Sequence, residues 1–227
     1  KMKIAIIGRT EILYKTVEVL LDNGYEIPLI VTSEETPEYK KSAEDFEKLA
    51  RRIDAKYLYT SKLSSIECIN FIKNCDRLDI AVSINYASII SQEVIDLFPC
   101  GILNAHGGNL PKYRGNACSA WAILNGEENI GLCIHKMVGS EVDSGDIIER
   151  EYLDININTK IGVVWEWMAR RIPQLFLSAL IKLQKNKDFI LEAQSEDPKD
   201  ALRCYPRIPE DGRIDWSKSN TEILRLI

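Results

Sequence analysis

The first hundred residues set short apolar runs between amphipathic ones, and that rhythm constrains the chain more than any other feature. Residues 3–7, Lys3-Ile4-Ala5-Ile6-Ile7, turn continuously apolar after the first position, as a strand covered on both faces must. Residues 11–21 then place Ile12, Leu13, Val17, Leu20 and Leu21 at helical spacing, and Asn23-Gly24 stops the helix. Further strands are predicted at 27–31, 57–59, 79–84 and 102–105, with helices at 42–53 and 66–75 between them. Such a βαβαβ order predicts an α/β fold with a doubly wound, mostly parallel sheet.

After residue 115 the rhythm changes. Two strand-like runs, 131–138 and 147–155, flank the turn-rich stretch Gly139-Ser140-Glu141-Val142-Asp143-Ser144-Gly145-Asp146. Residues 159–184 predict a long helix with Val163, Val164, Trp167, Met168, Ile172, Leu175, Phe176, Ala179, Leu180 and Leu183 on one stripe, and Pro173 is expected to kink or divide it. Residues 1–186 read as one domain. Residues 187–227 read as a small C-terminal extension that stops in mid-pattern, so a further segment is expected.

Composition narrows the partners. With 29 Lys and Arg against 34 Asp and Glu, the net charge of −5 supplies no general polyanion-binding signal and disfavours a nucleic-acid substrate. Six cysteines without a CxxC pair read as reduced thiols, so no metal site is expected. The start opens directly into a strand and no apolar run approaches the roughly 20 residues of a membrane span, so a cytoplasmic location without membrane contact is expected.

The chemistry is concentrated in Asn104-Ala105-His106-Gly107-Gly108-Asn109-Leu110-Pro111-Lys112-Tyr113-Arg114-Gly115. Residues i and i+2 of an extended segment share a face, so Asn104 and His106 converge at the carboxyl end of a strand, where open α/β sheets place their sites. His135, within the alternating run 132–137, reads as structural, and Asp146 as a turn residue. Gly8-Arg9-Thr10 reads as a short phosphate-binding turn opening a helix, without the GxGxxG of a dinucleotide site.

Three blocks in this order, Asn104–Gly115, Asp143-Ser144-Gly145-Asp146-Ile147 and Tyr205–Trp216, resemble those of folate-dependent formyltransferases, most closely the nucleotide-sugar N-formyltransferases. One departure is Gly107, where many members carry Pro and some aminosugar members carry Gly. The resemblance implies a Rossmann-like catalytic domain and 10-formyltetrahydrofolate as donor. Asn104 and His106 would then donate to the oxyanion of a tetrahedral intermediate, and Asp143 would tune His106 and take up the amine proton. The pterin would lie against Ile84, Tyr86, Ala87 and Ile89, with Gly139 and Val142 closing the slot. Arg9, Lys112, Arg114, Arg203 and Arg207 are candidates to face a phosphorylated acceptor.

The expected acceptor is a nucleotide-linked aminodeoxysugar such as dTDP-4-amino-4,6-dideoxyglucose, used in cell-surface polysaccharide synthesis, and a homodimer is expected. Methionyl-tRNA formyltransferase lacking its C-terminal domain is the alternative. A non-catalytic folate-binding domain is a third reading, disfavoured by the intact Asn104, His106 and Asp143.

Overall fold

A computed structural model describes residues 1–227. Seven strands form one twisted sheet in the order β3-β2-β1-β4-β5-β7-β8. Strands β1 (Lys3–Gly8), β2 (Glu26–Thr32), β3 (Lys56–Tyr59), β4 (Ile80–Ile84) and β5 (Ile102–His106) run parallel. Strands β7 (Asn129–Lys136) and β8 (Ile147–Asp154) pair antiparallel to β5 and to each other. The α/β class expected from the rhythm is the fold observed.

Side-chain alternation along β1 divides the core. Ile4 and Ile6 belong to a cluster of 34 buried residues packed under α1 (Glu11–Asp22), α2 (Ala43–Arg52) and α6 (Ile161–Lys185). Ala5 and Ile7 face a second cluster of 15 residues under α3 (Ile66–Lys73) and α4 (Gln92–Ile95). Local caps start the helices where the sequence puts hydroxyl residues. Ser42 and Asp45 form a reciprocal capping box on α2, and Ser65 accepts the Cys68 N–H on α3.

Pro173 neither divides nor ends α6, which runs unbroken for 25 residues with Pro173 buried on its apolar face. The burial of Val164, Phe176, Ala179, Leu180 and Leu183 outweighs the hydrogen bond that a proline cannot donate. Four short elements were not foreseen: α4, β6 (Tyr113–Gly115), α5 (Cys118–Leu124) and β9 (Leu202–Cys204). Their sequences are too short for periodicity to register. Parallel pairing of β6 with β9 lays the C-terminal residues against the loop that follows β5. A last helix, α7 (Asn220–Leu226), contacts α5. Trp216, at the end of the third motif block, is 79% exposed. All six cysteines are unpaired, five of them buried. No helix is long and apolar enough to cross a membrane.

Strand order reverses at β1, whose neighbours are β2 and β4, so a crevice opens beyond the carboxyl ends of β1 and β4. Gly8 closes β1 there with φ +137°, and a Cβ on it would lie 2.0 Å from the Ile84 carbonyl oxygen. Only glycine permits this approach. Phe176 is fully buried between α6 and the sheet, so Phe176→Ala is expected to lose about 3–5 kcal/mol of unfolding free energy in denaturant titration. A loss below about 1 kcal/mol would show that α6 does not carry the larger core.

Candidate active site

Three chain segments converge beyond the end of β5. Asn104 and His106 are two residues apart on that strand, and antiparallel pairing sets His135 of β7 directly across from Asn104. After β7 the chain turns back through Ser140 (φ +65°) and Asp143 (φ +53°), a left-handed backbone that Asp tolerates better than most residues. This loop delivers the Asp143 carboxylate between the two imidazoles. Its Oδ2 lies 3.3 Å from His106 Nδ1 and its Oδ1 lies 3.4 Å from His135 Nε2.

Backbone groups fix the carboxylate and both rings. The Gly115 N–H donates to Asp143 Oδ2 at 3.0 Å. Gly115 has φ +102°, and a Cβ there would lie 2.3 Å from the Cys204 carbonyl oxygen, so the β6–β9 pairing requires glycine at this point. His106 Nε2 lies 2.6 Å from the Tyr113 carbonyl oxygen and His135 Nδ1 lies 2.9 Å from the Lys136 carbonyl oxygen. A carbonyl only accepts, so each of these nitrogens carries a hydrogen. The Asn104 amide nitrogen is 3.3 Å from His135 Nε2 and donates to it.

Electrostatics follow from burial. Desolvation lowers the His106 pKa and outweighs the Asp143 carboxylate, so the ring is neutral at neutral pH. With Nε2–H spent on Tyr113, the neutral ring presents a bare Nδ1 towards Asp143. Burial alone would raise Asp143, but His106, His135 and the Gly115 N–H together hold its carboxyl well below the usual carboxylate range. A proton added at Nδ1 would lie against that carboxylate. The neutral ring has no free hydrogen to offer, whereas Asn104 keeps one amide hydrogen beyond the one given to His135.

A cavity of about 440 Å³ opens over these side chains. It brings together Asn104, His106, Asp143, Tyr86, Ala87, Ile89, Val142 and Arg203 from the sequence-predicted set. Arg203 and Arg114 also line an adjoining cavity of about 390 Å³. Other predicted residues lie elsewhere. Ile84 is buried within β4, and the Gly139 N–H donates to the Gln92 side chain at 2.9 Å, away from the cavity. Lys112 pairs with Glu127, Arg207 donates to the Asp211 carbonyl, and Arg9 lines a separate cavity with Glu34 and Glu35.

Two residues of the site escaped the sequence reading. His135, expected to be structural, contacts both Asn104 and Asp143. Gln194 donates to the carbonyls of Asp143 at 2.8 Å and Gly145 at 2.6 Å, while its own oxygen accepts from Arg114. A buried histidine in an alternating strand was the available signal for the first. Nothing in sequence separated Gln194 from its polar neighbours.

The model of the formyl transferase family matches residues 2–180. The chain belongs to that family. Methionyl-tRNA formyltransferase of Ruminiclostridium cellulolyticum is 31% identical over 232 residues, spanning 100% of this formyltransferase and 72% of its relative. Among solved structures, WlaRD, a sugar 3N-formyl transferase crystallised with dTDP and 5-N-formyl-THF, superposes with a TM-score of 0.75 at 22% identity, covering 100% of this chain and 78% of that one. The N-formyltransferase from Helicobacter canadensis, in complex with folinic acid and dTDP-3-aminofucose, gives 0.75 at 20% identity, over 100% and 80% of the two chains. These likenesses extend the shared fold across the C-terminal residues as well.

The depressed Asp143 carboxyl gives this formyltransferase an acid-sensitive element. A group lowered in the folded state stabilises above its unfolded pKa, about 3.9, and loses that contribution as pH falls towards the folded value. Unfolding free energies of the native enzyme and Asp143→Asn, measured from pH 7 downwards, are expected to draw together below about pH 4. A gap that widens on acidification would contradict the assignment.

Proposed function

We propose that this formyltransferase moves a formyl group from 10-formyltetrahydrofolate to the amine of a nucleotide-linked aminodeoxysugar, such as dTDP-4-amino-4,6-dideoxyglucose, for cell-surface polysaccharide synthesis. One observation carries this reading: two cavities share Glu141, Val142 and Arg203 as a common wall beside Asp143. The first suits the donor, lined by residues 85–90 together with Met137, Val138 and Val142. Peptide edges between apolar walls fit a flat heterocycle rich in amide-like groups. The second cavity presents Arg114 and Arg203, whose fixed N–H forks suit a diphosphate. The folate- and dTDP-containing structures of WlaRD and the Helicobacter canadensis enzyme support the same pairing.

The residues divide the work. A neutral amine attacks the formyl carbon and the carbonyl oxygen gains charge. Asn104 directs its remaining amide hydrogen at that oxygen, a donor of a kind that contributes roughly 3–4 kcal/mol to a transition state. His106 Nδ1 takes the amine proton, and Asp143 Oδ2 stabilises the resulting imidazolium. The same proton then passes from His106 to the departing folate nitrogen, which returns the ring to its starting state.

The second reading, methionyl-tRNA as acceptor, is favoured by the identity to the Ruminiclostridium enzyme. The net charge of −5 weighs against it, since an extended phosphate backbone calls for a basic surface. Incubation with 10-formyltetrahydrofolate and dTDP-, UDP- and GDP-linked aminosugars, methionyl-tRNA and glycinamide ribonucleotide separates the readings by product mass. An aminosugar that gains one formyl unit is the expected outcome, and turnover of methionyl-tRNA alone would overturn it. With the acceptor identified, Asn104→Ala, His106→Ala and Asp143→Ala should each lower kcat at least about 100-fold. Near-normal turnover in any of the three removes that residue from the mechanism.

A further inference from the structure

We propose that His135 is a positioning residue that fixes which end of the Asn104 amide faces the reaction. Its ring is almost fully enclosed, with 2% of the side chain exposed, and it touches polar groups on both sides. On one side Nδ1 meets the Lys136 carbonyl oxygen at 2.9 Å, which assigns the hydrogen to Nδ1 and leaves a lone pair on Nε2. On the other side that lone pair faces the Asn104 amide at 3.3 Å. An NH2 group there makes a hydrogen bond. A flipped amide would set its oxygen against that lone pair, which selects the orientation with nitrogen towards His135.

This selection matters because an amide side chain has two ends of nearly equal shape and opposite polarity. With one N–H anchored on His135, the second N–H is held in the cavity, where an oxyanion needs a preorganised donor. A flip would present a carbonyl oxygen to a developing negative charge. The antiparallel register that sets Asn104 against His135 thus does more than extend the sheet.

The proposal rests on formyl transfer at this site and not on the identity of the acceptor. His135→Phe keeps a flat ring without the acceptor nitrogen, and His135→Gln restores an acceptor oxygen near the position of Nε2. With the amine acceptor that the native enzyme formylates as substrate, the Phe variant is expected to lower kcat about 30-fold while the KM for 10-formyltetrahydrofolate moves less than about threefold. The Gln variant should recover most of that loss. Unchanged kcat in His135→Phe, an effect confined to KM, or no recovery in His135→Gln would overturn the role. Histidine 15N NMR of the unsubstituted enzyme gives a readout free of folding effects and of any acceptor. At neutral pH it should report Nδ1–H with a bare Nε2 for His135. A hydrogen on Nε2 would overturn the proposal even if both variants were inactive, whereas failure to formylate any aminosugar would count only against the acceptor.

Discussion

The site depends on one buried carboxylate. Asp143 accepts the Gly115 N–H and stands between His106 and His135, so a single side chain ties together the loop after β7, the end of β5 and the short strand β6. Gln194 holds the same loop by its backbone carbonyls and reaches across to Arg114. The left-handed backbone at Asp143 is tolerated because these contacts leave the loop few alternatives. Without the carboxylate, the Gly115 N–H would lose its acceptor.

From that constraint the chemistry follows in order. Burial keeps His106 neutral, the Tyr113 carbonyl occupies Nε2–H, and Nδ1 is left facing the Asp143 carboxylate, the arrangement on which its proposed role as base rests. Asn104 is the proposed donor because its neighbour across the sheet consumes one amide hydrogen and leaves the other. The proposed division into donor, base and counter-ion rests on these pairings. Arg203 lines both this cavity and the adjoining one, where Arg114, Glu141 and Glu196 also stand.

Much of this was legible in sequence, for physical reasons. Parallel strands buried on both faces give continuous apolar runs, and helices over them give 3.6-residue stripes, so β1 to β5 and α1 to α3 could be placed from residue type alone. Asn104, His106 and Asp143 were legible because the motif blocks that contain them resemble one family. His135 was not, since its role comes from a strand register with Asn104 that periodicity does not specify. The expectation that Lys112 faces a phosphate failed to anticipate Glu127, a nearby carboxylate that takes its charge. Pro173 does not divide α6, because burial along the apolar face outweighs the local backbone preference.

The central claim is that neutral His106 accepts the amine proton, and the pH dependence of kcat tests it most directly. A base whose pKa is lowered by burial is deprotonated throughout the neutral range, so kcat should be level from about pH 7 to 8.5 and fall only below the ordinary histidine value of about 6.5. The acid limb should vanish in His106→Gln along with most of the activity. A kcat that instead declines as pH rises through 6 to 8 would require the imidazolium, and would contradict the account.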